Sequence, residues 1–155
     1  MGINVHHFRN YVLRPTLEQI KLWSNAAEML LLGTALVESQ NMHYLHQLAG
    51  GPALGVYQIE PRTHDDIWDN YLKYRKELRR DVLAYLAPVP EPKEQLITNL
   101  AYATVMARIF YLRVPAPLPV ATDYRGLANY WKQHYNTELG AGIPDKFVRC
   151  LRENT

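Results

Sequence analysis

A glutamate closes one of the most apolar stretches of the chain. Residues 29–37 read MLLLGTALV, and Glu38 follows directly, before the polar segment that begins with Ser39. A carboxyl group in apolar surroundings keeps its proton to a higher pH than in water, because burial disfavours the charged form. Such a group can serve as a general acid near neutral pH. The competing interpretation is a solvated helix-end glutamate, or one paired with an arginine, and Glu38 alone does not decide between them.

A second segment with polar side chains suited to a site lies twenty residues further on. Residues 55–63 read GVYQIEPRT, in which the valine, tyrosine and isoleucine favour extended structure. In an extended segment Tyr57 and Gln58 point to opposite faces. We expect Gln58 to face a groove, where its amide can bond a hydroxyl or N-acetyl group. Tyr57 then lies either at the site or in the core.

These two segments together resemble the soluble lytic transglycosylase family of the lysozyme-like superfamily. In that family a Glu-Ser pair ends a buried helix, and at about this spacing Gly and two apolar residues precede Gln-Ile-x-Pro-x-Thr. The resemblance extends over about residues 25–140 and is closest to phage-encoded members. The matched positions are Glu38, Ser39, Gly55, Gln58, Ile59, Pro61 and Thr63.

A third segment, GLANYWKQHYN at residues 126–136, resembles the part of the family that supplies a substrate-binding tyrosine in an Ala-x-Tyr-Asn context. Tyr130 fits by register, but Trp131 stands where the family has Asn. Tyr135 is followed by Asn136 and is the second candidate. The resemblance thus implies Glu38 as the catalytic residue. The candidate substrate-binding residues are Ser39, Tyr57, Gln58, Tyr130 and Tyr135, of which Ser39 fits a role at the helix end equally well.

The activity that the resemblance implies is cleavage of the β-1,4 bond between N-acetylmuramic acid and N-acetylglucosamine in peptidoglycan. Glu38 would protonate the leaving oxygen and then act as base on the C6 hydroxyl of the sugar, giving a 1,6-anhydro product without a cofactor. A hydrolytic muramidase is the near alternative. An inverting hydrolase needs a second carboxylate about 6.5 to 9.5 Å away, and Glu60, Asp65 and Asp66 are the candidates. A non-catalytic virion structural or wall-binding protein on the same fold is a third reading.

Composition and charge limit the partners. The net charge of +2 is too small to indicate nucleic acid, and the nine-residue apolar run is too short to span a bilayer. The histidine pairs His6-His7 and His43-His46 lack ligands that would complete a metal site. We therefore expect no metal, nucleic acid or membrane span. The resemblance implies peptidoglycan glycan strands, and other virion proteins, as partners. The amino terminus resembles no signal peptide, so we expect synthesis in the bacterial cytoplasm, followed by transport in a phage virion or release to the periplasmic wall.

The elements that position these residues are mostly helices. The pattern predicts one domain over residues 1–155, mainly α in an α+β lysozyme-like arrangement, with one short β-hairpin or extended element near residues 50–60 lining the groove. Thr16, Ser24 and Thr63 are predicted N-caps. The basic cluster from Arg75 to Arg80 is predicted to be a solvated helix face. Helices are predicted over about 4–13, 16–22, 24–38, 76–86, 93–113, 124–135 and 144–152, with a further one after Pro61.

Overall fold

The computed structural model describes residues 2–136 and 140–155, and this part of the chain is mainly helical. Short 3₁₀ turns lie at Leu48–Gly50 and Leu72–Tyr74, and π-helical turns at Phe8–Leu13 and Lys132–Asn136. None of the described helices is long and apolar enough to cross a membrane. The α-helices are α1 (Val5–His7), α2 (Arg14–Gln19), α3 (Asn25–Glu38), α4 (Pro61–Asn70), α5 (Lys76–Leu83), α6 (Gln95–Thr98), α7 (Leu100–Leu112), α8 (Tyr124–Trp131) and α9 (Pro144–Asn154).

Helix α3 is the central element of the core. It begins where predicted, because the Ser24 hydroxyl accepts a hydrogen bond from the Ala27 amide at 3.0 Å. Every residue from Ala27 to Val37 is buried, and α7, α8 and α9 pack around the helix. Gly33 allows the close contact with α9, because a Cβ at this position would collide with the Phe147 ring. Glu38 thus ends a helix that is held in place by the packing of α7, α8 and α9.

The amino-terminal helical segment is continuous, whereas the sequence predicts two helices with Thr16 as the second N-cap. Arg14 instead donates its amide to the Arg9 carbonyl, the wider spacing of a π-helical turn. The wide turn accommodates Pro15, which has no N–H and would clash in a regular helix. The segment is fixed to α3 by ion pairs from Arg9 and Arg14 to Glu28, at 3.1 and 2.8 Å. The predicted cap at Thr16 is wrong, and that residue is buried inside α2.

Where the sequence predicts a short β-hairpin or extended element, the described residues form no regular strand. Only two isolated bridges form, between His46 and Leu54 and between Leu54 and Ile59. A tight turn separates the latter pair, since the Gln58 amide bonds the Gly55 carbonyl at 3.0 Å and Gln58 has a φ of 49°. The left-handed turn prevents the alternation of faces that an extended strand would give. The irregular loop still brings Gln58 to the groove described below.

Two further predicted boundaries differ. The single helix predicted over 93–113 is broken at Asn99, whose side chain accepts the Tyr102 amide at 3.0 Å and caps α7. Helix α4 begins at Pro61, with Glu60 in the cap position, so Thr63 lies inside the helix and does not cap it. Proline at the first helical position explains this start, because the missing N–H would have no partner there.

Candidate functional site

Glu38 lines an open groove of about 440 Å³. The groove lies between the end of α3, the loop before α4, the start of α4 and the π-helical turn after α8. Its walls are mostly polar, and the apolar part is formed by the rings of Phe110 and Tyr135 together with Ala53 and Ile59. The polar lining residues include Gln47, Gln58, Glu60, Arg62, Thr63 and Asn136.

The carboxyl group of Glu38 is in an environment that favours its protonated form. Burial raises the pKa of Glu38 from 4.5 to about 7, and this effect outweighs hydrogen bonds from Trp131 and Asn136 and the positive charge of Lys146, all of which lower the pKa. The indole Nε1 of Trp131 donates to Glu38 Oε1 at 2.9 Å. The carboxyl group can therefore hold a proton at neutral pH, and the donors around it stabilise the carboxylate once the proton has left.

Trp131 and Asn136 are held in place by their own contacts. The Trp131 ring is 1% exposed and stacks on Phe147 of α9, with 5.5 Å between ring centroids. The Asn136 Oδ1 accepts from Lys132 Nζ at 3.0 Å and from the Gly142 amide at 3.1 Å, which leaves its amide group to donate to Glu38. Gly142 permits this packing, because a Cβ there would collide with both side chains. Contacts that do not involve Glu38 thus position both donors: α9 holds Trp131, and the π-helical turn and Gly142 hold Asn136.

Gln58 and Tyr135 lie in the groove with Glu38. The Nε2 of Gln58 donates to the Gly55 carbonyl at 2.8 Å, so its Oε1 remains available as an acceptor.

Tyr135 donates its hydroxyl to the Tyr57 carbonyl at 2.6 Å and packs on Phe110, with 4.4 Å between ring centroids. Burial raises the pKa of Tyr135 well above its usual value. The Tyr135 ring can therefore contact a ligand while its hydroxyl secures the loop.

Three other predicted site residues lie away from the groove. Ser39 and Tyr57 are both 0% exposed: the Ser39 hydroxyl bonds the Ala35 carbonyl at 2.8 Å, and the Tyr57 hydroxyl bonds Thr104 Oγ1 at 2.9 Å. Tyr130 is buried and donates to the Ala116 carbonyl at 2.8 Å. Their side chains have no free surface or free hydroxyl at the groove, so the structure does not support them as substrate ligands. Of the two candidate tyrosines, Tyr135 lines the groove.

The carboxylates considered as a second catalytic group are in different places. Glu60 lines the same groove as Glu38 and pairs with Arg62 at 3.1 Å, where both side chains are exposed. Asp65 and Asp66 are outside the groove and pair with Lys93 and Arg113. Only Glu60 thus remains beside Glu38. Among residues 2–136 and 140–155, no group of three His, Cys, Asp or Glu side chains could hold a metal ion.

The sequence prediction missed Gln47 and Asn136, which line the groove, and Trp131, which is buried and donates to Glu38. Gln47 accepts the Ala53 amide at 3.0 Å through Oε1, so its Nε2 can donate to a ligand. The one available signal for Trp131 was its departure from the Ala-x-Tyr-Asn pattern. Comparison with known proteins finds no matching family model, no curated relative and no similar solved structure.

Proposed function

We propose that the chain is a lytic transglycosylase with a lysozyme-like fold, which cleaves the β-1,4 bond between N-acetylmuramic acid and N-acetylglucosamine in peptidoglycan. The observation that carries the proposal is a carboxyl group with a pKa of about 7 in the wall of an open polar groove. A group with such a pKa exists in both its protonated and its ionised form near neutral pH, which suits a residue that must first give and then take a proton.

The proposed reaction uses Glu38 twice. The protonated carboxyl gives its proton to the glycosidic oxygen as the bond to C1 of the muramic acid sugar breaks. The resulting carboxylate then takes the proton of the C6 hydroxyl of the same sugar, whose oxygen bonds to C1. Trp131 and Asn136 donate to the carboxylate between the two steps. The product is a 1,6-anhydro sugar, and the reaction consumes no water.

The groove offers groups that suit a glycan strand. Gln58 provides an amide acceptor and Gln47 an amide donor, which together match the N–H and C=O of an N-acetyl group. The Tyr135 and Phe110 rings provide apolar surface for a sugar face. Because the groove is open and its lining is polar, it suits a hydrated polymer better than a small apolar ligand.

A hydrolytic muramidase is the second candidate, and the placement of Glu60 in the same groove favours it. Glu60 would act as the base that activates water. Glu60 pairs with Arg62 at 3.1 Å, whereas in a transglycosylase Glu38 acts without a second carboxylate. The two reactions therefore differ in whether Glu60→Gln removes activity and in what product forms.

The test is digestion of purified peptidoglycan followed by mass spectrometry of the released muropeptides. We expect 1,6-anhydro ends from the wild type, and a loss of rate of about 10²- to 10⁴-fold in Glu38→Gln. Glu18→Gln is the matched control and should retain full activity, because Glu18 is exposed and does not line the groove. Reducing ends together with inactivity of Glu60→Gln would establish the hydrolase. Equal cleavage by wild type and Glu38→Gln, or no cleavage by a folded wild type, would refute the proposal.

A further inference from the structure

A second cavity, of about 300 Å³, lies beside α4 and shares no lining residue with the groove. Its walls come from the later turns of α4, the end of α5 and the segment that leads to α6. Trp68, Leu83, Leu86 and Pro92 provide apolar surface. The size is at the lower end of the range typical of small-molecule sites, so the cavity can take a side chain or a compact ligand.

The Trp68 side chain is fixed by a chain of hydrogen bonds. Its Nε1 donates to the Tyr102 hydroxyl at 2.9 Å, and that hydroxyl lies 2.6 Å from His64 Nε2. Burial lowers the pKa of His64, so the ring is neutral at pH 7 and Nε2 can accept from Tyr102 while Nδ1 donates to Asp65 at 3.3 Å. The aromatic wall is thus held in one position, and the buried histidine adds no positive charge.

The wall formed by the segment between α5 and α6 is fixed by two amide side chains. Gln95 is 1% exposed and bonds both the amide and the carbonyl of Ala87, at 2.9 and 2.8 Å, as well as the Pro90 carbonyl at 2.7 Å. Asn99 donates to the Tyr85 carbonyl at 2.7 Å. A cavity with both walls held in this way is preformed, so a ligand does not have to order the segment on binding.

The charge around the cavity is negative, on a chain whose net charge is positive. Asp65, Asp69 and Glu91 line it together with a single cation, Lys93. Lys93 pairs with Asp65 at 3.3 Å. Asp69 and Glu91 form no ion pair with any other described residue and are exposed. The cavity therefore combines an apolar interior, an indole ring and two carboxylates without a cationic partner.

We infer that this cavity binds an aliphatic primary amine, the group that ends a lysine side chain and the side chain of the diamino acid in a wall peptide. The methylene chain packs against Leu83, Leu86 and Pro92, as the stems of such side chains pack on apolar surface elsewhere. The ammonium group interacts with the Trp68 ring and with Asp69 and Glu91. The site does not depend on the activity proposed for the groove.

The test is an NMR titration of the whole chain with Nα-acetyl-lysine methylamide, observing the indole N–H signal of Trp68. We expect a saturable shift with this probe and at least fivefold weaker binding of the norleucine analogue, which has the same chain length without the ammonium group. The double variant Asp69→Asn, Glu91→Gln should weaken binding of the amine by about fivefold, as for exposed ion pairs. Both residues are exposed and unpaired, so the variant should fold normally.

Glu94→Gln is the matched control, because Glu94 is an exposed carboxylate on the same segment but does not line the cavity. It should bind the amine as the wild type does. The inference is overturned if no saturable shift occurs, if the norleucine analogue binds equally well, or if the double variant and Glu94→Gln behave alike.

A second titration distinguishes the source of the amine. It compares a muropeptide that carries a free diamino-acid amine with the same muropeptide acetylated at that nitrogen. Binding of the free form that is at least tenfold tighter than the binding of acetyl-lysine methylamide assigns the site to the wall peptide. Equal affinity assigns it to lysine side chains in general, as on a protein partner, and equal binding of the acetylated form overturns the inference.

Discussion

The two ends of α3 hold carboxyl groups in opposite electrostatic environments. Glu28, in the first turn, is 1% exposed, and Glu38, ten residues later, is half-buried at the groove. Burial raises the pKa of both groups. At Glu28, however, hydrogen bonds and charges from Arg14 and Arg9 outweigh burial and leave the pKa below 4.5. At Glu38 burial outweighs the neutral donors Trp131 and Asn136 and the charge of Lys146, and the pKa is about 7.

The difference shows that burial alone does not set the role of a carboxyl group. What matters is whether its hydrogen-bond donors carry charge. Arg9 and Arg14 keep Glu28 ionised and make it a structural link between the amino-terminal helical segment and α3. The neutral donors at Glu38 hold the group without removing its proton. One helix thus carries a structural carboxylate at its start and, at its end, a carboxyl group that can hold a proton near neutral pH.

The largest expected effect on stability is at Glu28. Glu28→Gln removes the negative charge that faces Arg9 and Arg14 in a buried position, and we expect a loss of about 3 kcal/mol in the free energy of unfolding. Urea denaturation at pH 7 measures it. The variant should keep the activity proposed for Glu38 under conditions in which it is folded. A loss below 0.5 kcal/mol would show that Glu28 is not a structural link; this threshold is roughly that of an ordinary surface substitution.

The opposite result is expected at Glu38. A carboxyl group whose pKa is raised in the folded state makes the protein less stable as pH rises from 4.5 to 7, because the unfolded state loses its proton first. The difference of the two pKa values corresponds to about 3 kcal/mol. Glu38→Gln removes this dependence, so it should be more stable than the wild type at pH 8, by up to that amount, and the advantage should vanish near pH 4. The measurement is the denaturant midpoint of both proteins across this pH range. The prediction is wrong if the midpoints of wild type and variant change with pH by the same amount.

Trp131→Phe tests the neutral donor. Loss of the indole N–H removes a hydrogen bond that lowers the pKa of Glu38, so the alkaline limb of the pH–rate profile should move to higher pH. The smaller ring also leaves space beside Phe147, and we expect a loss of about 2 kcal/mol in stability. A stability loss with an unchanged pH profile would mean that Trp131 only fills space.

The smallest expected effects separate the two tyrosines. Tyr135→Phe and Tyr130→Phe each remove one hydrogen bond to a backbone carbonyl, which costs about 1 kcal/mol. Only Tyr135→Phe should raise KM for glycan fragments, because only Tyr135 lines the groove and fixes the Gln58 turn. Equal KM values for the two variants would remove Tyr135 from the proposed binding surface.

The helices were largely predictable from local pattern. The apolar run, the Ser24 cap and the prolines at residues 61 and 144 define α3, α4 and α9 because their signals lie within one or two turns. The errors occurred at three places where the backbone departs from the regular helix or strand that the pattern predicts. They are the π-helical turn before Pro15, the Asn99 cap that interrupts the helix predicted over 93–113, and the turn at Gln58. Each of these features depends on hydrogen bonds or steric contacts that the hydrophobic periodicity of the sequence does not indicate.

The candidate site also has features that the sequence predicts and features that only the tertiary structure reveals. The sequence by itself determined that Glu38 ends a buried helix, because the apolar run and the Ser24 cap both lie within that segment. It predicted an extended segment at Gln58, where the structure has a left-handed turn. Only the tertiary structure decided that Trp131, 93 residues away, donates to Glu38, that Tyr135 and not Tyr130 lines the groove, and that Ser39 and Tyr57 are buried. The physical reason is that the pKa and accessibility of a side chain depend on which distant elements pack around it, and no local segment contains that information.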